Sequence, residues 1–297
     1  MDLDLLVFGD TALDNFHEVE KLPKKDEAAD VVSSRRFYGG MGANCAIAAK
    51  KLGLNVGLVS VIGTDAEDYR TYMEKQGIKL YLKGIFGETT KSMFFKAGDT
   101  QISFFHKGVT EQLDGLNPLQ EFGKTLPKNV NTVYNARTYL RMQHISCKHY
   151  SNSLKIYNPG YGTFKFDKTP NMFKSIVSLT DVLMLNHHEA KHLESIGYKP
   201  KLKTDQTYIV TRGKDGARVY LKGSVVDVPA YETKVVDAAG AGDAFNAGFI
   251  TARIKDYDIL DSVKIGNATA SYVVEDWGCQ TNLPTWDKVM DRYNKIK

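Results

Sequence analysis

Tryptophan occurs only twice, cysteine three times and proline eight times in the 297 residues. The cysteines, Cys45, Cys147 and Cys279, are odd in number and far apart, which excludes a disulfide framework. They fit reduced thiols in a cytoplasmic protein. No run approaches the ~18 consecutive apolar residues of a membrane-spanning helix. The opening MDLDLLVFGD lacks the basic start and long apolar core of a secretory signal. An excess of one charge is also missing. The 39 basic and 35 acidic residues leave +4, scattered along the chain, which argues against a nucleic-acid binder. There is no repeat at solenoid period and no low-complexity tract. What remains, 42% hydrophobic and 25% charged, is ordinary globular composition and excludes a disordered or collagen-like chain.

The length suits one large α/β domain or two smaller units. Leu3 to Phe8 is a short apolar run ending at Gly9-Asp10, which predicts a buried strand and a loop. ANCAIAAKKL at 43–52 is small and helix-favouring, with Gly53 as its stop. Val56–Ile62 predicts a second strand, and Asp65–Gln76 a helix. Further strands are expected at Thr132–Tyr134, Leu154–Tyr157, Val182–Leu185 and Tyr208–Val210. Alternation of strands and helices predicts a mostly parallel sheet covered by helices. Helices at Gly242–Lys255, Ile259–Val274 and Trp286–Ile296 close the chain. KSMFFKAGDTQISFFHK, 91–107, breaks the rhythm: two aromatic runs flank Gly98-Asp99, a hairpin turn signal. With residues 14–37, which lack helical periodicity, it reads as either a small β subdomain or an edge extension of the main sheet.

Two glycine-rich stretches each open a helix. In VVDAAGAGDAF, 235–245, small side chains leave backbone N–H groups accessible at a helix N-terminus, where free donors and the dipole favour an anion. Asp243, in the first turn, is either a routine helix-start acid or a base beside a bound phosphate. In GGMGAN, 39–44, the glycines allow close backbone approach to a ligand, and Asn44 both donates and accepts hydrogen bonds.

GGMGANCAIAAKKLG and DAAGAGDAFNAGFI together resemble the two signatures of the PfkB (ribokinase-like) family of small-molecule kinases. Asn186-His187-His188-Glu189 is similar to its NxxE motif, and Thr211-Arg212-Gly213-Lys214-Asp215-Gly216 to its TxGxxG loop. Four motifs in order span essentially the whole chain, 1–297. The resemblance implies a three-layer α/β sandwich with a mostly parallel central sheet and a small β-sheet lid, from about 11–37 and 83–108. It implies ATP as phosphoryl donor, Asp243 as catalytic base, and an anion hole from the backbone of Ala239, Gly240, Ala241 and Gly242. Phosphoryl transfer needs positioning and charge neutralisation, which such a helix start supplies.

By the same resemblance Asn186 and Glu189 organise water-coordinated Mg²⁺, with Thr211, Gly213 and Gly216 lining the nucleotide site and Asn267 flanking adenine. Asp14, Gly40 and Asn44 would hold acceptor hydroxyls. Ala238 stands where the family pattern has threonine, near the phosphate and a monovalent-cation region; Asp237 is the candidate ligand there, with K⁺ the candidate ion.

The segment Gln101–Gly108 is similar to that of archaeal and adenosine-kinase-like nucleoside kinases. Phe94 and Phe104 could stack on a base, or they glue the lid to the main domain or to a second subunit. Arg137 follows a strand at the crevice end of the sheet, where ligands of open α/β sheets bind. These readings favour phosphorylation of a primary hydroxyl, the 5′-hydroxyl of a nucleoside. A ribokinase- or fructokinase-like sugar kinase is the alternative. Pairing two lids in a homodimer would cover their aromatic face. A rival of another class is the literal HEAKH at 188–192, a zinc-protease pattern without a third histidine after Gly197. No Walker loop occurs, and neither glycine stretch completes the dinucleotide-binding GxGxxG pattern.

Overall fold

The computed structural model describes residues 3–98 and 100–295. The first third runs β1 (Leu3–Phe8), β2 (Ala12–Val19), β3 (Val31–Gly39), α1 (Met41–Lys51), β4 (Val56–Gly63), α2 (Glu67–Lys75) and β5 (Lys79–Ile85). Then come β6 (Thr90–Ala97), β7 (Thr100–His106), α3 (Pro118–Phe122), β8 (Val130–Ala136), α4 (Leu140–His149) and β9 (Leu154–Asn158). After α5 (Asn171–Leu179), β10 (Val182–Asn186), α6 (His187–Ser195) and β11 (Thr207–Thr211) follow β12 (Ala217–Leu221) and β13 (Ser224–Val228). The chain ends in α7 (Ala241–Ile254), α8 (Ile259–Val273) and α9 (Trp286–Asn294).

Nine strands form one sheet in the order β13-β12-β11-β10-β9-β8-β1-β4-β5. Its pairings are parallel except at β11–β12 and β12–β13. Strand alternation divides the core. Leu5 and Val7 of β1 face the layer of α1, α7 and α8, whereas Leu6 and Phe8 face that of α3 and α4. Helices cover both faces, as βα connections require. The chain proceeds from β1 to one side through β4 and to the other through β8. The crevice at their C-terminal ends is therefore a topological switch point, where such sheets bind ligands.

The second sheet has four strands, in the order β3-β2-β6-β7. It is a separate sheet, not an edge extension. Its bounds differ from those expected: β5, including residues 83–85, belongs to the large sheet, while Tyr38 and Gly39 belong to the small one. Of the expected turn, Gly98 has positive φ and Asp99 lies outside the described residues. Ile296, the expected end of the last helix, also lies outside them.

The hairpin register corrects the expected use of its aromatics. Phe94 pairs with Ser103 and Met93 with Phe104. Cross-strand partners share a face, so an even position on β6 shares its face with odd positions on β7. Phe94 and Phe104 therefore lie on opposite faces. Phe94 stacks on Phe16 at 4.5 Å and meets Phe105 edge-on at 6.2 Å. Phe104 packs against Phe95 on the outer face and is 53% exposed.

Candidate active site

Asp10, just after β1, is 1% exposed. One of its carboxylate oxygens accepts from the N–H of Gly42 at 3.3 Å, the other from Arg137 Nε at 2.9 Å. This ties the start of α1 to the end of β8. The approach needs glycine: a Cβ on Gly42 would stand 2.7 Å from the backbone of Gly9. Arg137 has φ +72, an unfavourable conformation for a residue with a side chain. The pairing with Asp10 and the neighbouring sheet hold it there. Burial works against its charge, but Asp10, Tyr139 and Asp243 raise its pKa and keep it protonated.

Asp14 lies on the inner face of β2, 5% exposed, with Cys279 Sγ 3.7 Å from Oδ2. Burial raises its pKa to about 6, against hydrogen bonds from Ser92 and Cys279. The same face carries Phe16, Phe94 and Phe105. Phe105 reaches Tyr161, in the turn after β9, at 5.2 Å between ring centres. Trp277 closes another side: it meets Phe16 edge-on at 5.9 Å and carries Lys96 at 4.9 Å and Arg35 at 5.5 Å from its ring centre.

Asp243 sits in the first turn of α7, buried, and its Oδ2 accepts from Asn44 Nδ2 at 2.8 Å. Burial pushes its pKa up to about 7; the Asn44 hydrogen bond and Arg137 oppose the shift, and Asp10 and Asp14 add to it. Gly40 caps α1, and so positions Asn44, at φ +97. Gly240 caps α7 at φ +77, where a Cβ would stand 2.7 Å from that of Cys279.

The free donors at this cap differ from those expected. Ala239 N–H donates to Asp237 Oδ1 at 3.0 Å, and Ala241 N–H turns back to the Ala238 carbonyl at 3.3 Å. Among the described residues, the N–H groups of Gly240, Gly242 and Asp243 have no partner. Asp237 also accepts from Gly278 N–H at 3.2 Å, through its other oxygen. Its carboxylate closes the turn with one backbone donor on each oxygen.

A cavity of about 670 Å³ opens on the far side of this cap. Thr211, Gly213, Gly216, Ala241, Gly242 and Asn267 are among its lining residues. Asn267 is held by donating to the Pro229 carbonyl at 2.9 Å. Asn186 does not line this cavity. It and Glu189 form a reciprocal capping box at the start of α6. Glu189 is buried, which raises its pKa to about 7 against the Asn186 backbone N–H.

That cap decides the HEAKH pattern. Glu189 is turned to Asn186, His188 packs on His187 at 3.8 Å, and His192 Nε2 lies 3.2 Å from the Phe166 carbonyl. Among the described residues no three His, Cys, Asp or Glu side chains form a metal-holding group.

Of the expected acceptor residues, Asn44 bonds to Asp243, Asp14 and Arg137 act on its charge, and Gly40 caps the helix that carries Asn44; Phe94 shares the sheet face of Asp14, and Phe104 lies on the opposite face. Sequence reasoning missed Asp10, Phe105, Trp277, Cys279 and Gln280. Asp10 had a signal, its place at the end of the first strand. Phe105 needed only the hairpin register.

This arrangement defines a class, and the comparisons agree with it: the pfkB family carbohydrate kinase model matches residues 2–286, and the chain belongs to that family. It is a phosphotransferase acting on a sugar or nucleoside, with the ribokinase-like fold. It is 37% identical over 300 residues to the nucleoside kinase of Methanocaldococcus jannaschii, covering 97% of this chain and 95% of that protein. The crystal structure of the same organism's nucleoside kinase superposes with TM-score 0.87 at 34% identity, covering 99% of each chain. The nucleoside kinase of Methanothermobacter thermautotrophicus is 28% identical, over 98% of this chain and 96% of that one. A Burkholderia thailandensis nucleoside kinase in complex with inosine shares the fold, with TM-score 0.84 at 21% identity over 98% of each chain.

Proposed function

We propose that this enzyme transfers the γ-phosphoryl group of ATP to the 5′-hydroxyl of a nucleoside. The observation that carries the nucleoside is the aromatic face beside Asp14, where Phe94 and Phe105 stand on one side and Tyr161 approaches from the turn after β9. A purine or pyrimidine stacks on such rings through its own aromatic face. The 37% identity to a nucleoside kinase supports the same reading.

In this reading ATP occupies the cavity lined by Thr211, Gly213, Gly216 and Asn267, with its phosphates at the start of α7. Asp14 accepts hydrogen bonds from sugar hydroxyls, joined by Asn44 and the backbone at Gly40. Asp243 takes the proton of the acceptor hydroxyl through the oxygen that Asn44 does not hold. The hydroxyl oxygen bonds to the γ-phosphorus as the bond to the bridging oxygen of ADP breaks. The free N–H groups of Gly240, Gly242 and Asp243 meet the charge on the moving phosphoryl group. Arg137, held through Nε by Asp10, directs its remaining N–H groups to the same negative charge.

Mg²⁺ fits as an ion carried on phosphate oxygens and water. Such ions keep several waters and use few protein carboxylates, and the Asn186–Glu189 cap offers one buried carboxylate for water contacts. When bound, the ion neutralises charge on the phosphates. K⁺ stays the candidate ion at Asp237, whose two oxygens each take one backbone N–H and keep lone pairs free. The three buried free thiols fit the reducing cytoplasm. We further assign the outer lid face, where Val31, Ile102 and Phe104 are exposed, as the contact between two copies; a monomer mass in solution would overturn that assignment.

A coupled ADP-release assay tests the function against adenosine, inosine, guanosine, cytidine, ribose and fructose. Turnover of nucleosides but not of free sugars is the expected result. Turnover of ribose or fructose alone would return the aromatics to packing and make this a sugar kinase.

A further inference from the structure

Asn44 holds Asp243, and the orientation of Asn44 is itself set by something. An amide has a donor end and an acceptor end, and only the donor end suits an ionised carboxylate. Turned over, Asn44 would set oxygen against oxygen, which is tolerable only with Asp243 protonated. On its other side Asn44 Oδ1 accepts from Gln280 Nε2 at 2.8 Å. The same nitrogen donates to Tyr69 Oη at 2.9 Å, and the Tyr69 hydroxyl donates to the Gly39 carbonyl at 2.9 Å. Tyr69 is fully buried and stacked on Tyr38 at 4.3 Å. The four bonds link the last residue of β3 to the carboxylate, with donation running outward from Gln280 both ways: through Tyr69 to Gly39 and through Asn44 to Asp243. Gln280 Oε1 is buried and has no partner among the described residues. The fold leaves that acceptor unpaired while both hydrogens of the amide nitrogen are used, so the donor end is what this position requires.

We infer that Gln280 is a positioning residue for the base: its donation to Asn44 Oδ1 fixes the amide so that Nδ2 faces Asp243. The inference rests on Asp243 being the base. Among the described residues, Asn44 makes the one side-chain hydrogen bond to Asp243. The other titratable groups facing it are Asp10 after β1, Asp14 on β2, Cys45 on α1, Tyr134 and Arg137 of β8 and the turn beyond it, and Cys279 beside Gln280. None of these is a hydrogen-bond partner of the Gln280 side chain, which bonds to Asn44 and Tyr69. Without Gln280 the Asn44 amide turns freely, the ionised carboxylate loses its fixed donor, and the base holds its proton to higher pH.

The test is the pH profile of kcat for the full-length enzyme with saturating ATP and nucleoside. Gln280→Leu, close in size and without donors, should move the acid limb upward by about one pH unit, the scale of a hydrogen bond to a charged group. The loss of kcat should be largest at low pH, with the KM for ATP unchanged. Tyr69→Phe, which removes one anchor of Gln280, should move the limb the same way by less, and it decides the matter if Gln280→Leu does not fold. An unmoved limb, or a loss of kcat equal at every pH, would overturn the role of Gln280 while an inactive Asp243→Asn leaves the base assignment standing. An active Asp243→Asn would overturn the base assignment itself.

Discussion

Replacing Asp243 by asparagine should make the protein more stable and nearly inactive, with both effects tracing to one buried charge. The carboxyl has a pKa of 3.8 outside the fold and about 7 inside it, because burial disfavours the ionised form. Between those values the folded chain keeps a proton that the unfolded chain has released, so stability falls as pH rises through that window and levels off above 7. Each unit is worth about 1.4 kcal/mol, so the folded state at pH 8 carries a penalty of about 4 kcal/mol, and at pH 5 under about 2. Asparagine has the same shape, carries no charge, and still offers an oxygen to Asn44 Nδ2. Dividing by an unfolding entropy of ~0.6 kcal/mol per degree for a chain of this length, the variant should melt about 7 °C above wild type at pH 8 and about 3 °C above it at pH 5. Loss of a positioned base should lower kcat by about 10²–10⁴. Calorimetry of the ligand-free proteins across pH, beside steady-state kinetics, reads both. A melting advantage that does not grow with pH would refute the burial argument, and wild-type turnover would refute the base.

Gly240→Ala puts a methyl group against Cys279 at a left-handed position and shifts donors at the start of α7. It should lower kcat by about 10² with a smaller loss of melting temperature, read by kinetics and calorimetry. Phe105→Ala should raise the nucleoside KM about tenfold, whereas Phe104→Ala should leave it unchanged and weaken self-association in sedimentation. His192→Ala should keep activity within about twofold and leave metal content by elemental analysis unchanged; loss of stoichiometric zinc would revive the protease pattern.

The sheet was legible because buried parallel strands are short apolar runs, and Leu3–Phe8 and Val182–Leu185 read that way directly. The helix starts at Gly40 and Gly240 were legible from their small residues. The β12–β13 hairpin was not anticipated, since Ser224–Val228 is mostly exposed and its pattern is weak. The placement of Phe104 failed for a different reason. Alternation within one strand is visible in sequence, but parity across a hairpin depends on its register. Gln280 was invisible because nothing local marks a glutamine whose partners are 236 and 211 residues away.

That distance has a consequence for how the enzyme comes into being. The carboxylate of Asp14 meets Cys279 across 265 residues, and Gln280 reaches Asn44 across 236. A ribosome has already produced all thirteen strands of the described residues before it adds either of these late residues. The growing chain thus carries the strands of both sheets while its acceptor pocket still lacks a wall and its base lacks an anchor. Contacts of such long range close slowly, so competence for phosphoryl transfer waits on the last part of the chain, after the strands that frame the site have been made.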